Sequence, residues 1–152
     1  MGHDGRVSLV FPSVEGLVLL EVEVPGTPSE VPDIRRTISE AVRAAGVDDD
    51  TVDSLELLVS ELVTNAVRHG HGPVTVRGML ADAGTVRVDV RDRRPGQVVP
   101  HELDLWSIGG RGLAMVDMVA YQWGCRSDLD GKTVWFELVP AFVGIRTHTV
   151  SA

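Results

Sequence analysis

Near Gly70 the apolar residues of this chain change their spacing, and that change restricts what the chain can fold into. Before it, two sets recur every three or four residues: Val31, Ile34, Ile38, Ala41, Val42 and Ala45, then Leu55, Leu58, Val59, Leu62 and Ala66. That is the spacing of helices with one buried face. After it, Val86, Val88 and Val90 alternate with Arg87, Asp89 and Arg91, as in a strand with one buried and one wetter face. Turn residues divide the rest. Residues 17–24 read as a strand closed by Pro25-Gly26, and Ser29 as the N-cap of the first helix, which Gly46 stops. Asp48-Asp49-Asp50 suits the positive end of the second helix, which runs to Gly70. Residues 74–80 and 85–92 read as a hairpin around Asp82-Ala83-Gly84. Leu113, Val116 and Val119 mark a short helix, and 121–126 with 133–139 form a last hairpin turned at Asp130-Gly131. The order predicts an α+β fold: a two-layer sandwich with helices on one face of a mixed, mostly antiparallel sheet.

A chain of 152 residues suits one domain. The pattern assigns 17–139 to it, with a leader at 1–16 and a tail at 140–152. The formal charge of −8 argues against direct nucleic-acid binding, which calls for a basic surface. A polyanionic ligand would need local N–H groups, an arginine or a metal to hold it. Cys125 is the single cysteine, which excludes an internal disulfide and a thiolate metal cluster. No stretch reaches the roughly 18 apolar residues of a membrane span, and residues 1–10 lack a signal-peptide pattern. A cytoplasmic protein with no membrane partner is the expectation.

Three polar features remain to be explained. On the second helix Glu61, Asn65 and His69 stand at i, i+4 and i+8, on one face and apart from the apolar stripe. A carboxylate one turn from a carboxamide offers a base and a neutral oxygen ligand, although a solvated helix face reads the same way. The second feature is Asp92-Arg93-Arg94-Pro95-Gly96, an acid at a strand end before a glycine-containing turn. It opens a long aperiodic stretch, 93–110, of the kind that forms lids or binding loops. The third is Gly109-Gly110-Arg111-Gly112-Leu113, glycines ahead of a helix whose free N–H groups suit a phosphate. It is not a Walker A loop, since no Gly-Lys-Ser/Thr follows. Nor is it a dinucleotide fingerprint, because Met115 stands where the last Gly or Ala belongs.

Taken in this order, the three features resemble the GHKL (Bergerat-fold) ATP-binding domain, and within it the bacterial anti-sigma factor serine kinases. Residues 61–70 resemble the family's N box, 92–96 its first glycine box, 109–113 its second, and 131–138 its closing segment. Arg94 departs from the pattern, standing where the first box usually has a glycine. The resemblance implies ATP and Mg²⁺ as ligands, with Asn65 on the metal and Glu61 as the general base. It implies an adenine contact at Asp92, supported by Thr133, with Gly96 passing beside the base. Gly110, Arg111, Gly112 and Leu113 would line the phosphates, and Arg68 and His69 join the nucleotide-binding set. His69 reads equally as a core or capping histidine. The partners it implies are a sigma factor and an antagonist protein, with Arg35 and Arg36 as contact candidates and a homodimer as the assembly. Two other functions fit the same features: an ATP-gated binding module without catalysis, and a detached histidine-kinase catalytic domain.

Overall fold

A computed structural model describes residues 16–70, 72–94, 112–140 and 150–151. Strand β1 (Gly16–Val24) leads through a 3₁₀ turn, Pro28–Glu30, into helices α1 (Val31–Ala44) and α2 (Asp49–His69). Strands β2 (Val74–Ala81) and β3 (Val86–Asp92) follow, then helix α3 (Gly112–Val119), strands β4 (Gln122–Asp128) and β5 (Gly131–Leu138), and a two-residue β6 (Val150–Ser151). The sheet order is β1-β2-β3-β5-β4-β6. The first five strands pair antiparallel, and β6 lies parallel to β4 with Val150 beside Trp123. The expected α+β sandwich is therefore the fold, and the tail contributes this short edge strand.

Helix α2 begins at a side-chain cap, whereas α1 is entered through the 3₁₀ turn. Asp48 accepts hydrogen bonds from the Thr51 N–H at 3.0 Å and the Thr51 hydroxyl at 2.7 Å, closing the first turn of α2. These bonds hold its carboxyl below the ordinary value of 3.8. Ser29 is not the cap expected of it, because the 3₁₀ turn precedes α1 and starts at Thr27. The Glu30 carboxylate accepts from the Thr27 N–H and hydroxyl at 3.3 and 2.6 Å and fixes that entry.

The helices bury their apolar stripes on one face of the sheet. Ile34, Ile38 and Val42 of α1 and Leu55, Leu58, Val59, Leu62 and Val63 of α2 are buried against Val74, Val76, Val86, Val88, Val90 and Phe136. Helix α3 packs on α2 and β4, and the Trp123 indole N–H donates to Asp117 of α3 at 3.0 Å. On the opposite face polar side chains pair along and across strands. Arg87 reaches Asp89 at 2.8 Å and Glu137 at 3.4 Å, and its guanidinium lies 4.3 Å from the centre of the Trp135 ring. Among the described residues no helix is long and apolar enough to cross a membrane.

Candidate functional site

The last turns of α2 cross the sheet where β3 ends and β5 begins, leaving a pocket between the two layers. Leu62, Ala66, Val90 and Val134 form its apolar walls, and Asn65, Asp92 and Lys132 supply its polar groups. Asn65 lies here because it stands three residues after Leu62, close to the buried stripe without belonging to it. Asp92 is here because β3 alternates, so Val86, Val88, Val90 and Asp92 all face the helices.

Asp92 is a carboxylate only 1% exposed, and a buried charge must find partners. One oxygen accepts the Arg94 N–H at 2.8 Å, an Asx turn that folds the chain back over the strand end. The other oxygen lies 3.5 Å from the Lys132 ammonium. Two glycines allow this enclosure. A Cβ on Gly70 would lie 2.6 Å from the Asp92 Cβ and would also strike the Ala66 carbonyl, while a Cβ on Gly131 would strike the Asp92 carbonyl. The Arg94 departure from the family pattern does not prevent the turn, which takes its backbone N–H.

The other expected site residues fall in several places. Glu61 is half-buried, one turn before Asn65 on the same helix. Arg68 is exposed and His69, the last residue of α2, is half-buried. Gly112 and Leu113 open α3, which lies against α2. Gly96, Gly110 and Arg111, with most of the 93–110 loop, lie outside the described residues. Arg36 pairs with Asp33 at 3.2 Å on the exposed side of α1, and Arg35 reaches Ser60 at 3.5 Å.

Thr133 does not support Asp92. In the β3–β5 ladder Thr133 stands opposite Arg91, and Asp92 opposite Lys132. Directly opposed residues share a face, so Thr133 lies on the side away from the pocket, where its hydroxyl accepts from Arg91 at 3.3 Å. Arg91 in turn grips Asp128 through its two terminal guanidinium nitrogens at 3.0 and 3.1 Å. Lys132 is the pocket residue that sequence reasoning missed. Counting strand parity from the Asp128–Gly131 closure would have found it, and the turn residues are Leu129 and Asp130 rather than Asp130 and Gly131. Burial pushes the thiol of Cys125, opposite Val134, up to about 11, which disfavours the thiolate.

Fold and pocket together define a class. Residues 24–138 match the Histidine kinase-like ATPase domain, and the chain belongs to that family. It is 32% identical over 114 residues to the protein named Serine-protein kinase RsbW of Bacillus subtilis (strain 168), spanning 64% of this chain and 71% of that one. The protein of the same name from Bacillus velezensis matches at the same identity and coverage. The fold resembles the crystal structure of the RsbU and RsbW domains of a Mycobacterium tuberculosis protein, with a TM-score of 0.60 and 24% identity. That match covers 79% of this chain and 32% of the longer one.

Proposed function

We propose that this chain is an ATP-binding anti-sigma factor with protein serine kinase activity, which sequesters a sigma factor and phosphorylates an antagonist protein. One observation carries the reading. Asn65 and Asp92, from separate elements, line a single pocket whose remaining walls are largely apolar. Apolar walls with a few convergent polar groups are what a purine nucleotide requires. The kinship to proteins named serine-protein kinases supports the choice of acceptor.

The donor set fits Mg²⁺ that enters with phosphates. Among the described residues no group of three or more His, Cys, Asp or Glu is arranged to hold a metal alone. Mg²⁺ is typically shared between few protein oxygens and the substrate phosphates, and the Asn65 carboxamide would be the protein's share. When bound, ATP would supply the phosphoryl group and Mg²⁺ would offset part of its negative charge. Asp92 would accept from the adenine amine, and Gly96 would let the backbone pass beside the base. Gly110, Arg111, Gly112 and Leu113 would meet the phosphates through N–H groups and one guanidinium, and Arg68 and His69 would join them from the end of α2. Glu61 takes the proton from the incoming serine hydroxyl. The chain works in the cytoplasm as a homodimer and does not touch DNA directly, in keeping with its net charge of −8.

The test is transfer from γ-labelled ATP to serine-bearing antagonist proteins. Wild type transfers label, whereas Glu61→Ala binds ATP and transfers about 10²-fold less or worse. Undiminished transfer by Glu61→Ala contradicts its role as base, and no transfer across the panel contradicts the kinase reading.

A further inference from the structure

Lys132 has no part in the mechanism above, yet it shares the pocket with Asp92. Its side chain is 12% exposed, unusual for a lysine, which ordinarily carries its ammonium out to water. At 3.5 Å from the Asp92 oxygen it is further than the 2.7–2.9 Å of a charge-assisted hydrogen bond. The ion pair therefore leaves donor capacity on the ammonium and acceptor capacity on that carboxylate oxygen. The other Asp92 oxygen is already taken by the Arg94 N–H. Besides Asn65, the pocket thus presents one acceptor next to one donor from Asp92 and Lys132, between apolar walls formed by Leu62, Ala66, Val90 and Val134.

An aminopurine edge offers the complement: an exocyclic amine that donates beside a ring nitrogen that accepts. We propose that Lys132 is a base-reading residue, its ammonium donating to the adenine ring nitrogen N1 while Asp92 accepts from the neighbouring amine. The proposal rests on the ATP site proposed above. Thr133 cannot supply this contact, because it faces the other side of the sheet. The bland alternative is that Lys132 only neutralises Asp92. The two roles differ in how they treat a nucleotide that lacks the ring acceptor.

The experiment compares ATP with 1-deaza-ATP, in which a C–H replaces N1, on wild type and Lys132→Met by calorimetry. Base reading predicts that wild type binds 1-deaza-ATP about tenfold or more weakly than ATP, the size of a hydrogen bond to a charged group. Lys132→Met would bind ATP more weakly and distinguish the two nucleotides by less than twofold. Lys132→Arg, which keeps a charged donor, would restore part of the discrimination. Equal ratios in wild type and Lys132→Met would overturn the proposal. So would wild type that binds both nucleotides equally, a result independent of whether any variant folds. Wild type that binds neither nucleotide would instead overturn the ATP site, and the proposal with it.

Discussion

Asp92 shows how a single buried carboxylate constrains its neighbours. Its partners are a backbone N–H two residues on and an ammonium across the ladder, and the space around it exists because Gly70 and Gly131 lack side chains. Gly70→Ala should therefore destabilise the fold by about 1–3 kcal/mol, the usual cost of overpacking. Its backbone is extended at φ −87°, so the cost is steric rather than conformational. Urea unfolding measures it, and a variant as stable as wild type would show that the α2 terminus gives way freely. At the other end of α2, Asp48→Ala should cost about 1 kcal/mol. The Asp48 carboxyl is held below its ordinary 3.8, so this stability is present above that value and is lost as pH falls through the lowered folded pKa. Unfolding curves for wild type and Asp48→Ala should differ at pH 7 and converge in acid. A gap that persists there contradicts the cap's ionic character.

At the scale of elements, periodicity made some parts of the fold legible and hid others. Strand β3 was readable because its apolar residues alternate with charged ones. Strand β5 was readable as a strand but its facing was not, because Thr133, Val134, Trp135, Phe136, Glu137 and Leu138 are all buried. The second face is covered by long polar side chains rather than by a helix, and this removed the signal that would have separated Lys132 from Thr133. Asp92 could be found because it takes a core-facing place in the β3 alternation, and Asn65 because it follows Glu61 by one turn on a polar helix face. That polar face also carries stability. Glu137, 3% exposed, is held by Arg87 at 3.4 Å and Gln122 at 2.7 Å. Arg87→Met should cost about 3 kcal/mol by stranding a buried charge. Arg36→Ala, which breaks a fully solvated pair, should stay within about 0.5 kcal/mol. Equal effects in denaturant unfolding would mean that the network adds nothing beyond surface ion pairs.

Across the whole molecule, the two layers have different tasks. The helix-covered face supplies a core with a pocket at one end of β3 and β5, and the polar face braces the same strands from behind. Membership of the histidine kinase-like ATPase family and the convergence of Asn65 with Asp92 in one pocket lead to the same expectation. On the function proposed above, the pocket would take ATP, with the metal held partly through Asn65. Titration calorimetry with ATP, with and without Mg²⁺, on wild type and Asn65→Ala tests this most directly. The account predicts saturable binding by wild type that Mg²⁺ strengthens, and an Asn65→Ala variant that folds normally but loses the strengthening. Absence of saturable ATP binding by wild type, or an Asn65→Ala variant with the full Mg²⁺ effect, would contradict it.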